Sequence, residues 1–214
     1  MAQSREHKAQ TRERILAQAS ERLRADGLAG VSIAQLMTAA GVTHGGFYRH
    51  FDSREDLIAQ ATERALREGA AAGARARAGQ PPTLAAYVKS YLSRTHRDAP
   101  ERGCAIAALA ADVPHAGAPT AEVFTAGLLA TLERLTAQFA ARAETGSGTL
   151  TADVEGAASR ASPAPAPMDD AIALLSTMVG ALVLSRAVND AELSDRVLAV
   201  NRTRLIDNLN RSTT

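Results

Sequence analysis

The residue types best suited to chemistry gather between Val31 and Leu57, VSIAQLMTAAGVTHGGFYRHFDSREDL. On a helical wheel at ~100° per residue, Phe47 and Phe51 share one side of the stretch Thr43–His50. Gly45 and Arg49 fall opposite, flanked by His44 and Tyr48. That outer face suits a duplex groove: arginine pairs bidentately with guanine, and Tyr or His tips donate to phosphate or touch a thymine methyl. Gly45 and Gly46 each cost about 1 kcal/mol of helix stability relative to alanine; close backbone approach to DNA is a reason to accept that cost. The competing reading is a weak surface helix with incidental polar residues. Catalytic chemistry has no comparable centre. No GxSxG, HExxH, P-loop or CxxC occurs, and His7, His44, His50, His96 and His115 lack metal-ligand spacing. No catalytic residue, metal or cofactor is expected.

The elements that must position this face have clear boundary signals. Ser32 and Gln35 have capping-box spacing, so a helix should start after Ser32, burying Ile33, Leu36 and Met37. Gly41 is placed to end it through a positive φ. Thr43 can cap the next helix. Ser53 and Asp56 form a second start signal before Leu57, Ile58, Ala61 and Ala65. Upstream, Ile15, Leu16, Ala19 and Leu23 mark the stripe of a helix stopping near Gly27. Three short helices of this kind share one small core in helix-turn-helix domains. Caps, turn glycine, aromatic pair and a basic flank (Arg5, Lys8, Arg12, Arg14) agree in register, which favours the groove-binding reading.

The stretch TAAGVTHGGFYRHFDSREDL resembles the DNA-binding domain of TetR-family transcriptional regulators at Ala40, Gly41, Val42, Thr43, Gly45, Tyr48, Phe51, Glu55 and Leu57. Arg54 stands where the family usually has lysine. The resemblance implies that Ser32, Thr43, Tyr48, His50 and Arg54 clamp the DNA backbone. It implies that Thr43, His44, Gly45 and Arg49 face base edges, with Ala34 and Gln35 beside them. Gly46 replaces the commoner Thr or Ser, which shifts readout onto His44 and Arg49.

Length and composition set the frame. The chain has 214 residues, 46% hydrophobic but only 3% aromatic, and alanine dominates. That predicts an all-α protein of about nine helices. The resemblance implies a helix-turn-helix domain over residues 1–54, a linking helix 55–72, and an effector-binding and dimerisation domain over 73–214. A net charge of +1 excludes a globally basic nucleic-acid coat, not local phosphate contacts. No apolar run of ~18 residues is evident, and the polar start lacks a signal-peptide core, so a cytoplasmic, chromosome-associated protein with no membrane span is expected. One cysteine precludes an internal disulfide.

Downstream, Leu84, Tyr87, Val88, Tyr91 and Leu92 form a helical stripe running to Asp98–Pro100. Cys104–Asp112 reads as a short apolar helix before Pro114, and Ala121–Arg142 as a long one. Residues 144–167, ending in SPAPAP, read as a mobile loop with one helical turn near 152–159. Met168–Val188 and Ala191–Leu209 form a closing hairpin. The TetR resemblance implies that this hairpin dimerises, through Leu175, Val179, Leu182, Val183, Val197, Leu198 and Leu205. A two-fold dimer reads a palindromic operator as two half-sites. The resemblance also implies a ligand cavity among the middle helices, with Tyr87, Tyr91, Cys104, Leu109, Phe124, Leu128 and Met178 as candidate lining. Few charges fall on those stripes, so an apolar or aromatic effector is expected. Cys104 follows Arg102-Gly103 near a helix start, where a thiolate is favoured; a redox- or electrophile-sensing repressor is the alternative to a ligand-released one. An effector-free DNA-binding protein or an enzyme fits less of the chain.

Overall fold

The computed structural model describes residues 2–79, 83–146 and 166–211, and among these every regular element is helical. The elements are α1 (Ala2–Asp26), α2 (Ile33–Ala39), α3 (Arg54–Ala76), α4 (Leu84–Tyr91), α5 (Arg94–Asp98), α6 (Ala105–Leu109), α7 (Ala118–Gly146), α8 (Pro167–Ala187) and α9 (Ala191–Arg211). Short 3₁₀ turns lie at Leu28–Gly30, His44–Arg49, Pro100–Arg102 and Val113–His115. Most of the loop expected over 144–167, and the helical turn expected near 152–159, lie outside the described residues.

The capping signals act as their chemistry predicts. The Ser32 hydroxyl accepts from the Gln35 N–H and Ser53 from the Asp56 N–H, while Thr83 and Ser93 cap α4 and α5 in the same way. Ser93 accounts for one departure: the stripe expected to run unbroken to Asp98 breaks at Leu92, because a cap restarts the helix there. Gly41 sits at φ +72°, and a Cβ there would meet nothing, so backbone conformation alone calls for glycine.

The core is one continuous cluster. Ile15, Leu23, Leu36, Met37, Phe47, Phe51, Leu57 and Ile58 fill its amino-terminal end; Leu92, Leu109, Met178 and Leu182 fill the far end. α3 packs on both α1 and α7, and α8 packs on α7, α9 and α6. By length and composition α8 is apolar enough to cross a membrane, a test that the core helix of a soluble protein also passes. Its Ala171, Leu174, Leu175, Met178, Ala181 and Leu182 are instead buried against neighbouring helices.

Gly69, in the middle of α3, marks a close approach. A Cβ there would lie 2.8 Å from the Gly103 carbonyl oxygen, so α3 and the turn before α6 meet backbone to backbone.

Candidate nucleic-acid interface and adjoining cavity

The stretch expected as an α-helix from Thr43 is a 3₁₀ helix, His44–Arg49, and the Thr43 side chain makes no cap bond. Two adjacent glycines weaken α propensity, and a six-residue segment gains little from longer-range helical bonding. The two-sided arrangement survives. Phe47 and Phe51 are buried and stacked, ring centroids 5.6 Å apart. Tyr48 is 72% exposed, its ring edge-on to Phe47. Arg49, Gly45, Thr43, Ala34 and Gln35 are also exposed; Ser32, Gly46 and His50 are half-buried. Phe47 thus anchors the turn while Tyr48 and Arg49 project from it.

Two members of the expected set are tethered. Gln35 accepts from Arg22 at 2.8 Å, and the Arg54 guanidinium donates to the Leu28 carbonyl at 3.3 Å. Residues from α1, noted in the sequence only as a basic flank, complete the surface. His7, Lys8 and Thr11 line a shallow groove together with Thr43, Gly45, Gly46, Tyr48, Arg49 and His50. Arg12 donates to the His50 carbonyl at 3.4 Å, bonds the Gln60 side chain and lies 5.2 Å over the Phe51 ring. Partial burial first, then the charges of Lys8, Arg12 and Arg49, hold the His50 pKa below 6.5. A site built this way favours anions.

A buried contact ties this surface to the rest of the molecule. Arg24 of α1, 4% exposed, donates to the Glu101 carbonyl at 2.5 Å, the Ala65 carbonyl at 3.3 Å and the Glu68 carboxylate at 3.0 Å. Burial pushes Glu68 up, but hydrogen bonds from Arg24, Ser20 and Arg64 outweigh it and hold the carboxyl below its usual value. Asp112 adds a second tie, accepting from the Leu28 N–H at 2.8 Å.

Beside Glu101 lies a cavity of about 700 Å³ between α3, α4, α5 and α7. Tyr87 and Tyr91 line it, as the sequence suggests; Cys104, Leu109, Phe124, Leu128 and Met178 do not. Leu109, Phe124 and Met178 are core, and Leu128 and Cys104 are half-buried against that core. An apolar stripe does not distinguish packing from cavity wall, which explains the mixed result. The wall instead recruits Arg77, Lys89, His96, Arg102, Arg134 and Gln138, contrary to the expectation of few charges.

Within that wall, His96 joins three elements. Its Nδ1–H donates to the Tyr91 carbonyl (2.7 Å), and its Nε2 accepts from the Cys104 N–H (3.0 Å). This fixes the neutral tautomer. Burial first, and the Arg186 charge, hold the ring's pKa below 6.5 against the opposing pull of the Tyr91 carbonyl. Cys104 caps the short α6 and presents its backbone, not a long helix terminus. Burial first, with the neighbouring Cys104 side chain adding, raises Tyr91 well above 10.

On the closing hairpin, Leu175, Leu182 and Leu198 of the expected interface lie in the chain's own core. Val179, Val197 and Leu205 are half-buried, and Val183 is open. The exposed apolar residues of α8 and α9 are Ile172, Val183, Leu184, Leu193 and Val200.

Residues 15–61 match the family described as bacterial regulatory proteins, tetR family. Among curated proteins none matches the chain. Among solved structures, a TetR transcriptional regulator from Chloroflexus aurantiacus J-10-FL is 24% identical, with TM-score 0.72 over 93% of this chain and 96% of that one. SCO4454, a TetR-family regulator from Streptomyces coelicolor, is 22% identical, with TM-score 0.63 over 94% and 97%. E. coli NemR in its reduced form is 21% identical, with TM-score 0.66 over 91% and 96%. Identity at this level speaks for the fold, while the matched amino-terminal segment speaks for the family. The capped α2, the Gly41 turn and the exposed Tyr48–Arg49 edge lie within the matched segment: residues 15–61 match the tetR-family helix-turn-helix, and the chain as a whole has the fold of the TetR-family regulators it resembles.

Proposed function

We propose that the protein is a cytoplasmic repressor that binds a palindromic operator as a homodimer and releases it when a small molecule enters the α3–α4–α5–α7 cavity. One observation carries the reading: Tyr48 and Arg49 are presented to solvent from a turn anchored by fully buried Phe47 and Phe51. Held on that rigid aromatic anchor, the phenol and the guanidinium offer a phosphate donor and a base-pairing fork side by side.

In this reading residues 1–54 form the reader, 55–72 the link and 73–214 the effector and dimer domain. Ser32, Thr43, Tyr48, His50 and Arg54 hold phosphates, and His7 and Lys8 extend the contact along α1. Thr43, His44, Gly45, Gly46 and Arg49 approach the bases beside Ala34 and Gln35. A single reader covers few base pairs, so affinity and specificity come from two copies on two half-sites. The interface is the outer face of α8 and α9, around Val183, Leu184, Leu193 and Val200, which are exposed in the single chain. Coupling runs through Arg24: movement of the Pro100–Arg102 turn at the cavity edge pulls on α1 and so tilts the reader.

Selection of bound duplexes from a random pool with full-length protein tests the reading. Recovery of an inverted repeat, bound by a dimer at moderate salt, is the expected result; no enrichment at low ionic strength sinks it. A second reading gives the switch to Cys104, because its backbone is bonded to His96 and it sits behind the cavity wall. Alkylation of its sulfur by a quinone would then displace His96 and weaken operator binding. An unchanged quinone response in Cys104→Ser removes that reading.

A further inference from the structure

The cavity has one sign of charge. Arg77, Lys89, Arg102 and Arg134 stand in its wall, and among the described residues no aspartate or glutamate does. Arg102 is already paired with Glu101 at 3.1 Å. Arg77 and Arg134 have no carboxylate partner among the described residues. Arg77 lies over the Tyr87 ring at 4.7 Å. Arg134 folds back onto its own helix, donating at 3.2 Å to the Ala130 carbonyl and the Thr131 hydroxyl, both neutral. Elsewhere Arg24 and Arg64 share Glu68 and Arg97 holds Asp98 and Asp195, while Arg12, Arg186 and Arg202 donate to backbone carbonyls. What sets Arg77 and Arg134 apart is their place: both border a cavity of about 700 Å³ large enough to bring an acidic partner to them.

The remaining wall sets aromatic and aliphatic groups beside neutral polar ones such as Ser90, Thr95, Thr131 and Gln138. The Tyr87 and Tyr91 ring centroids are 5.9 Å apart, and Leu135 and Ala70 face the same space. We propose that this cavity takes a small aromatic organic anion, its rings against Tyr87 and Tyr91 and its carboxylate or sulfonate held by Arg77 and Arg134. A cationic amphiphile of the same shape would meet four like charges. A neutral one would leave both guanidiniums without an acidic partner, whereas a planar acid accepts from their forks. The ligand class rests on the effector reading above for its regulatory meaning, though the binding itself does not require that reading.

Two probes with the same rings separate charge from shape: 8-anilinonaphthalene-1-sulfonate and the uncharged N-phenyl-1-naphthylamine. In fluorescence titrations of the full chain, saturable binding of the sulfonate, tighter than the neutral dye by on the order of tenfold, is expected from a charge-assisted contact. The double substitution R77Q/R134Q should bring the two dyes close together. R102Q, which removes a guanidinium already paired with Glu101, should keep the preference. If the double variant loses helicity, R134Q alone, at an exposed position, should still narrow the gap about threefold. Equal or tighter binding of the neutral dye overturns the proposal, as does absence of saturable binding or a preference that survives R77Q/R134Q. The same samples on the selected duplex separate the two readings. Charge-selective binding that leaves operator affinity unchanged keeps the anion site and removes its effector role, and failure to bind any duplex removes the regulator reading alone.

Discussion

Tyr48 and Arg49 are neighbours with different tasks. Tyr48 reaches solvent from a ring wedged edge-on against Phe47, and in the proposed reading its phenol tip holds a phosphate. Phosphate contacts are indifferent to sequence, so Tyr48→Ala is expected to weaken specific and random duplexes alike in a gel shift. Arg49 is free to pair with a base edge. Arg49→Ala should cost the selected operator about 1–3 kcal/mol and relax one position of the recovered motif. An equal loss on random DNA would reassign Arg49 to the phosphates. Arg12 needs a separate reading despite its charge: bonded to His50 and Gln60 and lying over Phe51, it props the reader from behind.

At the scale of elements, the contacts that matter join α1 and α3 to the turn before α6. Glu68 is held ionised by Arg24, Ser20 and Arg64, against the opposing effect of burial. A carboxyl whose folded pKa lies below its unfolded value contributes stability above the latter, and that stability is lost as pH falls through the folded value. Urea melts should therefore show Glu68→Gln less stable than the parent at pH 7, with the gap closing below about pH 4; a pH-independent gap would mean packing alone. His96 has the same direction of shift in a base. The unfolded ring binds protons more readily, so this contribution is complete above pH 6.5 and declines as pH falls through that value toward the lowered folded pKa. His96→Gln should flatten the loss of stability between pH 7.5 and 5.5 by about one of its proton-linked steps. Gly69→Ala tests the backbone approach. Helix propensity alone would stabilise α3 by about 1 kcal/mol, yet the Gly103 carbonyl 2.8 Å from the new Cβ should reverse the sign and lower Tm.

For the whole molecule, the unsolved surface is the outer face of α8 and α9. Ile172, Val183, Leu184, Leu193 and Val200 are each 42–58% exposed on adjoining helices, more apolar area than scattered residues account for. Leu184→Glu, at the most exposed of them, should leave the helical content intact and shift sedimentation toward the monomer. Operator binding should weaken far more than binding to a single half-site duplex. A variant that remains dimeric would place the interface elsewhere. The reach from reader to cavity also belongs to this scale. Arg24, 4% exposed, spans α1, α3 and the Pro100–Arg102 turn, and breaking such a buried pair costs about 3–5 kcal/mol.

Local chemistry settled the reader. Ser32, Gly41, Ser53 and the Phe47–Phe51 pair act over three to five residues, so spacing alone revealed the capped helices, the turn and the two-sided face. The all-α class followed from composition in the same way. Wherever residues distant in the chain meet, only tertiary structure decided the outcome. Capping cannot show that two glycines would turn the recognition segment 3₁₀, nor that Leu175, Leu182 and Leu198 would be consumed by the chain's own core. Arg77 and Arg134 lie on no apolar stripe, and nothing in their neighbourhoods marks them as walls of one cavity. Periodicity reports which side of a helix is buried, but whether that side meets a neighbour, a partner or an empty space is fixed by how the helices pack.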